Sequence, residues 1–217
     1  LNSRFDMVAF DCDGVLVDSE PITNLVLKDY LNELGWRISL NETCDTFIGR
    51  SIKEQMPYME EKLGKALPET FLPEFQRRRD EALRQQIRVI PEIEQVLKKL
   101  QSSAMPFCVA SGADSGKMQI TLGHTGLLPY FEGRMFSGSD VARTKPAPDV
   151  YLLAAKSMAK LPGRCVVIED TVAGVTAGVA AGMHVLGFTR SSKADALLAA
   201  GAKQVFDDMR DLPELIL

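Results

Sequence analysis

The chain begins its first apolar run at Phe5-Asp6-Met7-Val8-Ala9-Phe10 and follows it at once with Asp11-Cys12-Asp13-Gly14. Such a short run, bounded by acids and a glycine, reads as a strand buried on both faces, the habit of a parallel sheet. Similar runs recur at Met105 to Ala110, Arg164 to Ile168, His184 to Phe188 and Gln204 to Phe206. Helical periodicity separates them over Ile93 to Leu100, Gly116 to Thr125, Asp149 to Lys160, Val172 to Ala181 and Ala194 to Ala200. This alternation predicts an α/β fold, a Rossmann-like doubly wound parallel sheet.

One stretch breaks the alternation. From about Pro21 to Arg88 no convincing strand occurs, only helical periodicity punctuated by Gly35, Gly49, Gly64 and Pro68. That is too long for a loop in a compact domain, so a small helical cap domain is expected as an insertion. The expected division is residues 1–17 with 89–217 for the core and 18–88 for the cap. Within the insertion, Arg77, Arg78 and Arg79 are read as a solvated helix face, because a helix spreads three consecutive residues around its circumference.

Composition sets outer bounds. The 217 residues are 46% hydrophobic and 25% charged, ordinary globular usage that needs neither metal nor disulfide merely to fold. Lys+Arg at 25 against Asp+Glu at 29 gives a net charge of -4, which argues against a nucleic-acid partner. Cys12, Cys44, Cys108 and Cys165 form no C-x-x-C pair, so reduced thiols in a cytoplasmic protein are expected. Leu1 points to an incomplete or processed N-terminus, and no signal-like segment opens the chain. Thr171 to Thr189 carries no charge, yet its glycines, alanines and His184 fit a buried helix and strand better than a membrane span.

Four segments carry chemistry, each at the carboxyl end of an expected strand or in a loop beside one: Asp11-Cys12-Asp13-Gly14, Ser111-Gly112, Lys145-Pro146 and Glu169-Asp170. Each alone has a bland explanation in turn chemistry or helix N-terminal acids. In an open parallel sheet, however, ligands bind at that edge, so the four can converge. Extended backbone through Asp13 would direct both carboxylates one way and Cys12 into the core, leaving one acid to attack and the other to manage a proton. With Glu169 and Asp170 beside them, four carboxylates would repel. A hard divalent ion with oxygen ligands, Mg²⁺ above all, resolves that repulsion. Lys145 and the Ser111 hydroxyl add positive charge and a donor, so a phosphate group fits as guest.

Competing motifs fail on spacing. Ser111 to Met118 resembles a nucleotide P-loop, but its first glycine comes one position late and Met118 stands where Ser or Thr would hold magnesium. No G-x-S-x-G elbow is present, and His124 and His184 are the only histidines. Gly174, Gly178 and Gly182 fall at four-residue spacing, which suits a helix packed closely on the sheet.

With these residues in hand, the chain resembles the haloacid dehalogenase superfamily, in the subgroup of beta-phosphoglucomutase and small sugar-phosphate phosphatases. The likeness rests on Phe10 to Glu20, Lys145 to Asp149 and Glu169 to Gly174. It implies Asp11 as nucleophile, Asp13 as general acid and then base, and Ser111 and Lys145 on the phosphoryl oxygens. Mg²⁺ would rest on Asp11, the Asp13 backbone carbonyl and Asp170, supported by Glu169. Gly112, Glu20 and Arg50, the last in a loop resembling the family's cap loop, are expected to meet substrate. Dehalogenases lack the second acid, so Asp13 argues against that activity. Beta-phosphoglucomutase carries a His where this chain has Thr23, which favours a phosphatase over a phosphomutase. A third alternative, a signalling module phosphorylated on Asp, lacks a cap and has no use for Asp13. The expectation is a monomeric, cytoplasmic Mg²⁺-dependent phosphatase of a sugar or sugar-acid phosphate, acting on a small phosphate ester with no nucleic-acid or membrane partner.

Overall fold

A computed structural model describes residues 4–217; the expectation drawn from Leu1 lies outside the described residues. Strand β1 (Met7–Phe10) is followed by helices α1 (Glu20–Leu34), α2 (Leu40–Phe47), α3 (Ile52–Leu63), α4 (Phe71–Gln86) and α5 (Ile93–Ser102). Then come β2 (Phe107–Ser111), α6 (Ser115–His124), α7 (Leu128–Phe131), β3 (Met135–Ser137) and α8 (Asp149–Ser157). The chain closes with β4 (Cys165–Glu169), α9 (Val172–Ala180), β5 (His184–Phe188), α10 (Ala194–Ala199), β6 (Gln204–Phe206) and α11 (Leu212–Ile216).

The strands form a six-stranded sheet in the order β3-β2-β1-β4-β5-β6, with every pairing parallel. The doubly wound architecture is as the alternation predicts. Strand β3 escapes a reading by pattern, because three residues on a sheet edge are too few to show a period. The order reverses about β1, and a crevice opens there at the carboxyl ends of the strands. Register fixes what meets in it. Phe10 pairs with Val109 on one side and Ile168 on the other, so the residues just past β1 stand beside Ser111 and Glu169.

Two apolar cores cover the two sheet faces. Val8, Phe10, Val109, Val166 and Ile168 join α5 and α6 in one, while Met7, Ala9, Cys108, Val167 and Val185 join α8 and α9 in the other. Cys12 points into the first core, 1% exposed. The uncharged stretch after Thr171 forms α9 and β5, and no helix among the described residues is long and apolar enough to cross a membrane. A third core is built within residues 27–75 from Leu27, Tyr30, Leu31, Phe47, Met59 and Phe71, with the Tyr30 and Phe71 rings stacked at 5.1 Å.

The arginine run departs from the sequence reading. Arg77 and Arg78 do lie at the surface, paired with Glu74, Glu81 and Glu33. Arg79 instead is 7% exposed and binds Asp80 and Asp114. The rotation that spreads three residues around a helix necessarily turns one of them inward.

The three spaced glycines also divide by role. Gly178 serves close packing on the apolar face of the sheet, since a Cβ there would lie 2.8 Å from Val185 Cγ2. Gly182 takes a left-handed turn at φ 74°. Gly178→Val should therefore destabilise the protein by about 1–3 kcal/mol through overpacking, read as a lower midpoint in chemical denaturation. An unchanged midpoint would show that α9 does not rest on β5 as described.

Candidate active site

A cavity of about 610 Å³ lies between the carboxyl edge of the sheet and the helices of residues 20–86. Asp11, Asp13, Ser111, Gly112, Lys145 and Glu169 line it from the sheet side, and Glu20 and Arg50 from the helical side. Asp170 lies behind this wall, fully buried. All the segments singled out by sequence thus meet at one place, brought there by strand register and the switch point.

Lys145 is the hub. Its ammonium donates to Asp11 Oδ1 at 2.7 Å, Glu169 Oε1 at 2.7 Å and the Ala110 carbonyl at 3.1 Å, and it stands 4.7 Å from the Tyr151 ring centroid. Burial alone would weaken the charge, but Asp11 and Glu169 outweigh it and hold the Lys145 pKa well above its ordinary value. Asp11 is pushed up to about 7 by burial and by the charges of Glu169 and Asp13, with Lys145 opposing.

Glu169 is held on every side. Tyr151 Oη donates to its Oε1 at 3.0 Å, while its Oε2 accepts from the backbone N–H groups of Asp170 and Thr171 and from the Thr171 hydroxyl. A side chain at Gly174 would overlap that carboxylate, which is why the first of the three spaced glycines is there. Gly14 does the same for Asp170: it adopts φ 76°, and a Cβ would overlap Asp170 Oδ2.

Asp170 has no such support. Both carboxylate oxygens are buried and accept no hydrogen bond among the described residues; the Ser191 hydroxyl approaches without reaching hydrogen-bond geometry. Burial, then Glu169 and Asp11, drive its pKa well above the carboxylate range. A buried carboxylate left bare costs several kcal/mol unless it is neutral or meets a cation, on the order of the desolvation penalty of an ion. Oxygens of Asp11, Glu169 and Asp170 lie within 4.8 Å of one another. This all-oxygen donor set fits a hard divalent cation.

The Asp13 side chain is a correction to the expected four-carboxylate group. It stands outside the cluster because Lys117 and Ser19 draw it away: Lys117 Nζ lies 2.8 Å from Asp13 Oδ1, and Ser19 Oγ donates to the same oxygen. Burial would raise its pKa, but these two partners hold it below the usual value.

Two further residues on the cavity wall escape a reading by sequence: Lys117, which lies inside the P-loop-like stretch, and Arg79, which periodicity places in solvent. Lys117 lies on the first turn of α6 after the N-cap Asp114, which accepts from its backbone N–H. A cation on the first turn of the helix that follows a central strand was the available signal. Glu20, at the start of α1, is raised to about 7 by burial, with Lys117 opposing. Ser111 Oγ accepts from Ala113 N at 3.1 Å, and Arg50 is exposed at the cavity mouth.

Comparison with known proteins identifies the family. Residues 5–182 match the haloacid dehalogenase-like hydrolases. The chain is 34% identical over 186 residues to the 6-phosphogluconate phosphatase of Escherichia coli strain K12, covering 86% of this chain and 83% of that one. It is 30% identical over 190 residues to the fructose-1-phosphate phosphatase of the same organism, covering 83% and 94%. A solved haloacid dehalogenase-like protein from Agrobacterium tumefaciens superposes with a TM-score of 0.84 at 36% identity over 97% of each chain. With the parallel sheet, the carboxylates at its switch point and these relatives, the chain belongs to the haloacid dehalogenase-like hydrolases, and it is a phosphatase.

Proposed function

We propose that this phosphatase is Mg²⁺-dependent and hydrolyses a small phosphorylated metabolite, a sugar or sugar-acid phosphate, through an aspartyl-phosphate on Asp11. The observation that carries the reading is the bare, buried carboxylate of Asp170 within reach of Asp11 and Glu169, the two acids that Lys145 binds. Asp11, Asp170 and the Asp13 backbone carbonyl would hold the ion, with Glu169 behind them, and the bound ion would neutralise phosphoryl charge as a Lewis acid. Relatives named as phosphatases of 6-phosphogluconate and fructose 1-phosphate support the substrate class.

The residues then divide the work. Lys145, the Ser111 hydroxyl and backbone N–H groups near Gly112 hold the phosphoryl oxygens. Asp11 attacks phosphorus, and the bond from phosphorus to the ester oxygen breaks. The arriving dianion raises the pKa of Asp13 by like-charge repulsion, so Asp13 carries the proton that it delivers to the leaving alcohol. Water next attacks the aspartyl-phosphate while Asp13 takes its proton. Inorganic phosphate leaves, and both carboxyl groups return to their starting states. Lys117 beside Asp13 favours the ionised form that this second half needs.

Thr23 lines the cavity with a buried hydroxyl that has no hydrogen-bond partner among the described residues. It offers no titrating group at the position where a mutase carries histidine. Net phosphate release is therefore expected, with little interconversion of hexose 1- and 6-phosphates even with a bisphosphate primer. Phosphorus NMR would read this directly, and dominant isomerisation would overturn the phosphatase reading while leaving Asp11 and Asp13 their roles.

Asp11→Asn should abolish phosphate release from p-nitrophenyl phosphate while preserving the fold, because it removes the nucleophile and keeps the shape; retained turnover would exclude attack by Asp11. Lys145→Ala should lower kcat/KM by about 3 kcal/mol, roughly a hundredfold, the usual cost of losing one electrostatic donor. A loss under tenfold would reduce Lys145 to a structural role. Chelation should stop turnover and added Mg²⁺ restore it, whereas unchanged activity under chelation would rule out the metal.

A further inference from the structure

The cavity wall beside Asp13 holds polar groups to which the reaction above gives no contact with the substrate. Lys117 is 6% exposed, and Asp13 is its one partner within ion-pair distance among the described residues. An ammonium has three N–H donors, so donors remain to be directed into the cavity. Glu20 lies within electrostatic reach of Lys117. Its Oε2 accepts from Asn24 Nδ2 at 3.0 Å, while its other oxygen accepts no hydrogen bond among the described residues.

Charge decides what such a pair can bind. Lys117 is already countered by Asp13 and Glu20, and neighbouring Arg79 by Asp80 and Asp114. Among the described residues, no unpaired cation therefore stands on this wall beside Asp13 to attract a second anion; Arg50 and Lys53 line the cavity from the helical side. A free acceptor beside a free donor instead complements a hydroxyl, which donates to one and accepts from the other. The location sets which hydroxyl. Asp13 serves the ester oxygen, so groups flanking its carboxylate meet the substrate close to that oxygen.

We propose that Lys117 and Glu20 form a hydroxyl-reading subsite that selects phosphate esters bearing a hydroxyl on the carbon next to the phosphorylated one. This rests on the phosphatase reading, with Asp13 at the leaving oxygen, and adds a specificity determinant to it. Buried polar groups built to bind a hydroxyl are left unpaired by an analogue that lacks it, so discrimination falls on the deoxy ester.

The test compares kcat/KM for propane-1,2-diol 1-phosphate and propyl phosphate, which differ by that hydroxyl alone, with p-nitrophenyl phosphate as reporter of overall activity. The wild-type ratio should be roughly tenfold to a hundredfold in favour of the diol ester, as expected for hydrogen bonds to charged groups. Lys117→Met and Glu20→Leu should each bring the ratio below about threefold. Any general loss through a disturbed Asp13 affects both esters and cancels in the ratio. A wild-type ratio near one overturns the subsite whether or not either variant folds, as does an undiminished ratio in a folded variant. No phosphate from any of the three esters overturns the phosphatase reading and the subsite with it.

Discussion

Like-charge repulsion inside the protein is the constraint to which the rest of this structure answers. Asp11, Glu169 and Asp170 bring their oxygens within 4.8 Å at a fully or nearly fully buried sheet edge. Three carboxylates so placed cannot all be ionised without compensation. Lys145 supplies it for two, sitting 2.7 Å from both Asp11 and Glu169. Asp170 receives none from the described residues. The neighbourhood is shaped to hold these groups regardless: Gly14 and Gly174 give up their side chains to admit Asp170 and Glu169, and Tyr151 with the N–H groups leading into α9 fixes the orientation of Glu169. Acids at a helix start are favoured by the exposed N–H groups and the helix dipole, so Glu169 is stabilised in the place where its charge is most useful.

A second charged group lines the same cavity beside the first. Lys117 pairs with Asp13, and Arg79 pairs with Asp114, which links α4 of the helical insertion to the start of α6. Thr144 also bonds Glu54 across the same gap, and Gly49 approaches Thr171 closely enough that a Cβ would sit 3.2 Å from its methyl group. The apolar core of residues 27–75, by contrast, is separate from the two cores on the sheet. The helical insertion thus packs on itself through hydrophobic burial and joins the sheet through polar contacts. A polar joint can exchange partners with water or substrate at modest net cost, which apolar packing cannot do.

Much of this was legible in the residues. Short apolar runs of three to six at intervals, with helical periodicity between them, point to a parallel sheet because such strands must be covered on both faces. The length of the strandless stretch demanded a folded insertion. The acids and the serine stood at strand ends and the lysine in a loop beside one, and only one edge of a parallel sheet collects strand ends. What eluded pattern has physical reasons too. Strand β3 is too short for a period to show, and a helix hides which of Arg77, Arg78 and Arg79 faces inward until its neighbours are placed.

The sequence by itself therefore determined the sheet class, the inserted helices and the identity of the groups at the carboxyl edge, since each follows from local periodicity or from the obligation to bury apolar surface. Tertiary structure alone decided how those groups share charge. Asp13 is two residues from Asp11, yet its carboxylate leaves the cluster for Lys117 because that ammonium lies 2.8 Å away in space and far off in the chain. Gly174 proved to serve a carboxylate and Gly178 a valine, although their spacing looked like a single device. Electrostatic pairing and close packing depend on distances between segments remote in sequence, and those distances exist only once the sheet has brought its strand ends together.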